Sequence, residues 1–229
     1  MQGMTTAISW SGGKDSALAL IAARTQGLCV RTFVTACRGH MPAAHALPAT
    51  WFARQVAALG GEWLPFEGGA DYAQAFDAVL RDLAGRGHRA MVFGDIDLAA
   101  HRDWIEPRVR AAGLQPLFPL WGLPRGEVAR RILEAGIRAR VVTVDLAKLP
   151  ADVCGRVYDA DLLAALPPSV CPCGEDGEFH TAVESMPGMR EPVPLVVRGW
   201  REIDAQPPLR LGRLAQAIVD EESAAGAGA

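Results

Sequence analysis

The stretch that decides the fold is residues 7–16, which read AISWSGGKDS. Its first four residues are a short apolar run, which predicts a buried strand. Residues 15–26 carry apolar side chains at helical spacing, and Gly27 predicts where that helix ends. The glycine-rich segment at residues 11–16 therefore joins a strand directly to a helix.

The same alternation continues downstream. Apolar or β-branched runs that predict strands occupy residues 30–36, 63–66, 90–93 and 114–118. Helical patterns are found at residues 48–59, 72–83 and 99–112. Strands that alternate with helices are typical of βαβ units, so we expect an α/β fold with a doubly wound parallel sheet.

The second half of the chain has a different character. A helix is predicted at residues 126–135 and a strand at 139–144, after which proline, glycine and cysteine become denser. A last strand is predicted at residues 192–197. The chain is therefore divided into an α/β domain at 1–122, a smaller α+β lobe at 123–223 and a disordered tail at 224–229.

Composition narrows the class of protein. The 229 residues carry a formal net charge of −3, which gives no field to attract nucleic acid or a membrane surface. No apolar run approaches the roughly 20 residues of a membrane span. Five cysteines and no preceding secretory signal indicate a reducing compartment. We expect a cytoplasmic protein with no membrane partner, and nucleic acid is disfavoured as a partner.

The glycine-rich segment has the features of a phosphate-binding loop. Amides at a helix start lack carbonyl partners, and the helix dipole adds about half a positive charge there. Glycine lets the backbone approach an anion closely. Lys14 adds a full charge, and Asp15 offers a carboxylate to Mg²⁺. The residues expected to hold the nucleotide are Ser11, Gly12, Gly13, Lys14, Asp15 and Ser16.

The spacing within this loop excludes one common phosphate-binding pattern. A Walker A loop reads G-x-x-x-x-G-K-[ST], and residues 11–16 do not fit it. The shorter S-G-G-x-D-S pattern resembles the PP-loop of ATP pyrophosphatases, which cleave ATP between the α- and β-phosphates. The structural alternative is a Gly-Gly turn followed by an aspartate that caps the helix.

Three further segments extend the resemblance over most of the chain, from about residue 6 to about residue 197. They are residues 94–97 (GDID) with the following 101–106 (HRDWIE), residues 119–122 (PLWG) and residues 174–181 (GEDGEFHT). Together with the loop they are similar to the diphthine–ammonia ligase family, the N-type ATP pyrophosphatases of the PP-loop superfamily. The chain departs from the usual pattern at Cys171, where relatives often carry an acidic residue.

The resemblance implies a fold and a reaction. The sheet would be of the adenine nucleotide alpha hydrolase-like kind, with ATP and Mg²⁺ as cofactors. A carboxylate on a small molecule or a protein would be adenylated, pyrophosphate would leave, and ammonia or another amine would form an amide. The resemblance leaves a homodimer open. The arginine-rich composition suggests a GC-rich bacterium, where the family's modified histidine should be missing, so the acid itself stays open.

The resemblance also implies roles for individual residues. The predicted catalytic residues are Lys14, Asp95, Glu175, Glu178 and His180, and the predicted substrate-binding residues are Arg102, Glu106, Trp121 and Thr181. Each has a structural alternative. Arg102 and Glu106 are four apart on one helix and could simply pair. Asp95 could cap a turn, His180 could be a structural histidine, and Trp121 could belong to the core.

Two other functions remain open at this point. The protein could be an ATP-binding sensor without catalysis, because the same sheet can bind a nucleotide and leave it unchanged. It could also be a PP-loop enzyme that modifies tRNA, with a persulfide on Cys171 or Cys173. Metal binding by these two cysteines is disfavoured, because one residue separates them and a tetrahedral zinc site needs four ligands.

Overall fold

The computed structural model describes residues 4–38, 41–42, 47–69, 71–204 and 212–219. The tail predicted at residues 224–229 lies outside the described residues. No helix in the described part of the chain combines the length and apolar character needed to cross a bilayer.

The first half of the chain forms a parallel sheet. Its parallel strands are β1 (Thr5–Ser9), β2 (Cys29–Arg38), β4 (Glu62–Glu67), β5 (Ala90–Val92) and β6 (Gln115–Leu117), and the short β3 (Met41–Pro42) pairs antiparallel with the end of β2. The parallel strands lie in the order β4-β2-β1-β5-β6. The order reverses on either side of β1, so a crevice is expected at the carboxyl ends of β1 and β5.

Helices cover both faces of this sheet. They are α1 (Lys14–Thr25), α2 (Ala49–Ala58), α3 (Tyr72–Gly85), α4 (Ala99–Ala111) and α5 (Arg125–Glu134). Leu20 of α1 and Trp51 of α2 belong to one hydrophobic cluster, whereas Leu80 of α3 and Val109 of α4 belong to another. Two separate clusters mean that helices pack on opposite faces, which confirms the predicted doubly wound α/β fold.

The second half forms a smaller α+β lobe, as predicted. Its antiparallel sheet contains β7 (Arg138–Asp145), β8 (Phe179–Ser185), β9 (Val197–Asp204) and β10 (Arg213–Val219), in the order β8-β7-β10-β9. A 3-10 turn (Ala151–Val153) and the short α6 (Ala160–Ala165) connect β7 to the segment that leads into β8. Val141 and Val183 of this sheet join the same hydrophobic cluster as α1 and α2, so the lobe packs on the first domain.

The strand predicted at residues 192–197 is wrong. Only Val197 belongs to a strand, as the first residue of β9, and the preceding residues form no ladder. Instead, the amides of Val193 and Leu195 donate to the main-chain oxygen and a carboxylate oxygen of Glu184, at 2.7 Å and 3.0 Å. The prolines at 192 and 194 have no amide hydrogen, so this segment cannot supply a regular set of ladder donors.

Candidate functional site

The glycine loop, residues 11–16, lies between β1 and α1 at the carboxyl end of the sheet. Gly12 has a φ of +74°, and a Cβ there would lie 2.8 Å from Cε1 of Phe52. The buried Gln55 accepts from Trp10 Nε1 at 2.7 Å and donates to the oxygens of Gly12 at 3.3 Å and Val183 at 2.8 Å. The loop conformation is therefore imposed by α2 and β8 as well as by the glycines.

The start of α1 is only partly capped by side chains. Gly13 is the N-cap and provides no side-chain cap, while the Lys14 amide donates to Thr181 Oγ1 at 3.2 Å. Ser16 Oγ donates back to the Gly13 oxygen at 2.9 Å, and Ser11 Oγ lies 3.2 Å from Ser16 Oγ. Thr181 therefore caps the helix, and the two serine hydroxyls brace the loop internally.

A cavity of about 220 Å³ opens at this helix start, and we call it the loop cavity. Its wall combines the glycine loop with the first turn of α4 and with the segment before and within β8. The lining includes Ser11, Gly13, Lys14, Asp15, His101, Cys173, Glu175, His180 and Thr181. Segments from three parts of the chain thus meet where the helix dipole is positive.

Lys14 is buried beside this cavity, with 2% of its surface exposed. Its Nζ donates to Asp15 Oδ2 at 2.8 Å and to the Cys173 oxygen at 2.5 Å, and it lies 5.5 Å from the ring centre of Tyr158. Burial acts to lower the pKa of Lys14, but the Asp15 carboxylate and other nearby groups outweigh it and raise the pKa above its ordinary value. The lysine therefore keeps its positive charge in a fixed position.

Asp15 has an unsatisfied oxygen that fits a cation. Its Oδ2 is paired with Lys14, whereas its buried Oδ1 has no hydrogen-bond partner among the described residues. No group of three or more His, Cys, Asp or Glu side chains in the described part of the chain could hold a metal ion. One carboxylate is nevertheless a sufficient protein contribution for Mg²⁺ that also binds phosphates and water. The arrangement thus fits the predicted Mg²⁺ contact of Asp15.

The structure separates the two predicted catalytic glutamates. Glu175 lines the loop cavity, and burial, reinforced by the Asp15 charge, raises its pKa to about 7. Glu178 is buried in its own turn, where its two carboxylate oxygens accept from the amides of Cys171 at 3.1 Å and Asp176 at 3.0 Å. Only Glu175 is therefore positioned for proton transfer in the cavity, and Glu178 holds the shape of the turn.

His180 and His101 lie on different walls of the loop cavity. Burial, together with the charge of Lys14, lowers the pKa of His180, which favours its neutral form. The pKa of His101 is raised, because its Nδ1 lies 3.2 Å from Asp95 Oδ1 and that carboxylate stabilises the charged ring. One histidine is thus a candidate proton acceptor and the other a candidate cation.

A second and larger cavity, of about 850 Å³, adjoins the first, and we call it the aromatic cavity. It shares Ser11 and His101 with the loop cavity. The rest of its lining is mostly apolar and includes Tyr72, Phe76, Phe93, Trp104 and Ile105, with Asp95 and Ser9 as polar members. Predicted site residue Asp95 therefore belongs to the aromatic cavity, at the carboxyl end of β5.

Three of the predicted substrate-binding residues lie together but outside both cavities. Arg102 Nε donates to Glu106 Oε1 at 2.7 Å, and the Arg102 guanidinium lies 4.7 Å from the ring centre of Trp121 and 5.4 Å from that of Phe118. None of these residues lines either cavity. The structure matches the alternative of a simple helical pair, and a role in substrate binding stays a prediction.

Arg125 is a site residue that the sequence did not reveal. It bridges the segment after β5 and the segment before β8, because its guanidinium donates to Asp97 Oδ2 and to Asp176 Oδ2, each at 2.7 Å. Its main-chain oxygen also accepts from Cys173 Sγ at 3.1 Å. The two aspartates lie inside motif segments, which indicated that a basic partner could pair with them. Nothing in the sequence indicated which arginine that partner would be.

Cys171 and Cys173 are free and buried, and Cys173 lines the loop cavity. Contacts with the side chain of Cys173 and with the main chain of residues 173 and 175 lower the pKa of Cys171 to about 6. The same contact, with burial, raises the pKa of Cys173. The pKa shifts of the two cysteines are thus in opposite directions and favour the thiolate form for Cys171 and the thiol form for Cys173.

Fold and site together define a doubly wound α/β protein with a glycine-rich loop and a polar cavity at the switch point of its parallel sheet. No protein-family model and no curated protein matches the chain. Among solved structures it is similar to a predicted subunit of tRNA methyltransferase from Methanocaldococcus jannaschii, with 18% identity and a TM-score of 0.45. That match covers 80% of this chain and 98% of the other. So distant a similarity carries no information on function.

Proposed function

We propose that this protein is an AMP-forming, ATP-dependent ligase of the PP-loop type, similar to the diphthine–ammonia ligases. The observation that carries the proposal is the ion pair between the buried Lys14 and the half-buried Asp15 at the start of α1, with one Asp15 oxygen unsatisfied among the described residues. A charged pair at the start of a helix suits a metal-bound triphosphate.

ATP would place its phosphates in the loop cavity. The amides at the start of α1, the helix dipole and the fixed charge of Lys14 all favour an anion there. Mg²⁺ held by Asp15 Oδ1 would neutralise phosphate charge, which makes pyrophosphate a better leaving group. A carboxylate of the second substrate attacks the α-phosphorus, the bond to the β-phosphate bridging oxygen breaks, and pyrophosphate leaves.

The lining of the aromatic cavity supports a proposal for the class of carboxylic acid that is the substrate. The two cavities share Ser11, so a carboxylate at their junction lies beside the phosphates. Among the described residues that line the aromatic cavity, His101 at the junction is the one candidate cation, which disfavours an acid with several negative groups. Its aromatic wall favours a body that is flat and apolar. We therefore propose a monocarboxylic acid with an apolar, preferably aromatic, body.

Glu175 supports the amide-forming step. When an amine attacks the acyl-adenylate carbonyl, the new C–N bond forms, AMP leaves, and the nitrogen carries an extra proton. Glu175 lines the loop cavity, and its pKa of about 7 lets its carboxylate accept that proton near neutral pH.

Product analysis tests the reaction. Purified protein is incubated with ATP, Mg²⁺, ammonium and a panel of aromatic and aliphatic monocarboxylic acids, with dicarboxylic acids as the contrast. The proposal expects acid-dependent release of AMP and pyrophosphate, with aromatic acids preferred. ADP and phosphate as products would contradict attack at the α-phosphorus. Tight ATP binding without turnover of any acid would favour the ATP sensor instead.

A second candidate function rests on Cys171. The pKa of Cys171 is lowered to about 6, and Cys171 lies two positions before Cys173, which lines the loop cavity. A thiolate there has the chemistry needed to carry a persulfide sulfur to an adenylated RNA base. In this reaction a persulfide donor would pass its outer sulfur to the Cys171 thiolate and leave as a thiolate. The Cys171 persulfide would then displace AMP from the adenylated base, and Cys173 would form a disulfide with Cys171 as the thiolated base leaves. Sulfur incorporation into tRNA, with a persulfide donor and ATP, would be lost in Cys171→Ser. The ligase reaction expects Cys171→Ser to retain acid-dependent AMP release, so the two functions are distinguishable.

A further inference from the structure

A third cavity lies at the opposite end of the parallel sheet from the glycine loop. It has a volume of about 350 Å³ and is formed by the end of α1, the start of β2, the end of α2 and the segment after β8. Three arginines line it, Arg24, Arg31 and Arg190, and its lining contains no acidic residue. We call it the arginine cavity.

The three guanidinium groups use few of their donors within the protein. Arg24 Nη2 donates to the oxygens of Val30 at 3.1 Å and Leu59 at 3.3 Å, and Arg31 Nη2 donates to the Gly60 oxygen at 3.3 Å. Each guanidinium has five N–H donors. In the described part of the chain none of the three arginines forms an ion pair. Most of their hydrogen-bonding capacity therefore remains available.

The negative partial charges at the neighbouring helix ends do not offset the full positive charge of the three arginines. The C-terminal ends of α1 and α2 border the cavity, and each carries about half a negative charge. Two such ends offset about one of the three positive charges. Burial, and next the charge of Arg31, lowers the pKa of Arg24, as expected for two guanidinium groups that face the same cavity. The cavity thus has a surplus of about two positive charges.

We propose that the arginine cavity binds the phosphate group of a small molecule. Planar guanidinium forks match the oxygens of a phosphate and form charge-assisted hydrogen bonds to it. Arg24 is partly buried, Arg31 and Arg190 are exposed, and all three line the cavity, so an anion held there has guanidinium donors from three residues within reach. The chain's net charge of −3 provides no extended field for a polyanion, which favours a small phosphate over nucleic acid.

Calorimetric titration with inorganic phosphate and with pyrophosphate, at constant ionic strength, tests the proposal. The informative variant is Arg31→Ala/Arg190→Ala, because both side chains are exposed and Arg24 keeps its structural contacts. Arg89→Ala is the matched control, since Arg89 is an exposed arginine before β5 that does not line this cavity. We expect the double variant to weaken phosphate binding at least about tenfold, and the control to leave it unchanged.

Four outcomes would overturn the proposal. One is the absence of phosphate binding to the wild-type protein, and another is equal binding by the wild type and the double variant. Binding that is lost in Lys14→Ala but retained in the double variant would place the phosphate at the glycine loop instead. Binding of a short RNA, lost in the double variant while inorganic phosphate fails to bind, would make the cavity a nucleic-acid contact.

Discussion

Gly12 shows how one residue fixes the conformation of the glycine loop. Its positive φ and its contact with the Phe52 ring leave no space for a side chain. Glycine is therefore required at this position for two reasons: the backbone has a positive φ, and the Phe52 ring occupies the space that a side chain would need.

Gly12→Ala tests this requirement. We expect a loss of about 2–4 kcal/mol in the free energy of unfolding, because backbone strain and overpacking add. Gly27→Ala is the control, since its φ is also positive, at +82°, but nothing lies within 4 Å of its Cβ position. The control should lose only about 1–2 kcal/mol from backbone strain. Urea unfolding measures both, and equal losses would contradict a steric role for Phe52.

Glu175 gives a pH prediction at the same scale. Its raised pKa keeps the carboxyl group protonated at acidic pH, where it cannot accept a proton, and the carboxylate forms as the pH rises through about 7. The rate of amide formation should therefore rise with pH across this value. Glu175→Gln should lower the rate about 10²-fold or more and abolish the pH dependence. A wild-type rate that is independent of pH would remove Glu175 from the proton transfer.

At the scale of elements, Arg125 at the start of α5 joins two segments that come from different sheets. One of its partners, Asp97, follows β5, and the other, Asp176, precedes β8. Exposed ion pairs contribute little to stability, so the value of this bridge lies in the position of the segment that carries Glu175.

Arg125→Ala should therefore lower the ligase kcat/KM about tenfold, because misplacing a catalytic segment slows the reaction. The free energy of unfolding should change by less than about 1 kcal/mol. Arg130→Ala provides the control, since this arginine lies on the same helix and pairs with Glu127 and Glu134 at the surface. Steady-state kinetics measure this effect, and an equal fall in kcat/KM in both variants would contradict a positioning role for Arg125.

Helices and strands were predicted correctly where their pattern depends on neighbouring residues. They were missed where their conformation depends on pairing with residues distant in sequence. The strands and helices of the first domain lie within a few residues of their predicted bounds, since strand and helix periodicities are properties of short segments. In the second half, β8, β9 and β10 were not predicted, and residues 192–196 were wrongly assigned to a strand. Their conformations depend on Glu184 and on antiparallel pairing across long sequence distances.

At the scale of the whole molecule, Gln55 connects the two sheets through the glycine loop. Its side chain bonds to Trp10 after β1, to Gly12 in the loop and to Val183 in β8. The Val183 amide also donates to the Gly12 oxygen, at 2.9 Å. The position of the lobe and the shape of the loop are therefore coupled.

Gln55→Leu should destabilise the protein by about 2–4 kcal/mol, because buried partners lose their hydrogen bonds. The affinity for ATP should also fall, because the glycine loop loses its hydrogen bond from Gln55. The control is Gln74→Leu, since Gln74 is exposed on α3. Thermal unfolding and ATP titration measure the two effects. An unchanged ATP affinity in a destabilised Gln55 variant would show that the loop does not depend on the lobe.

The sequence by itself determined the glycine loop and the parallel sheet that presents it, because helix and strand periods, glycine positions and helix starts depend on neighbouring residues. Only the tertiary structure decided that Glu175 lines the loop cavity while Glu178, three positions later, supports a turn. It also decided that Arg24, Arg31 and Arg190 converge on one cavity. The direction of a loop side chain and the meeting of distant residues depend on packing between elements, which no local pattern records.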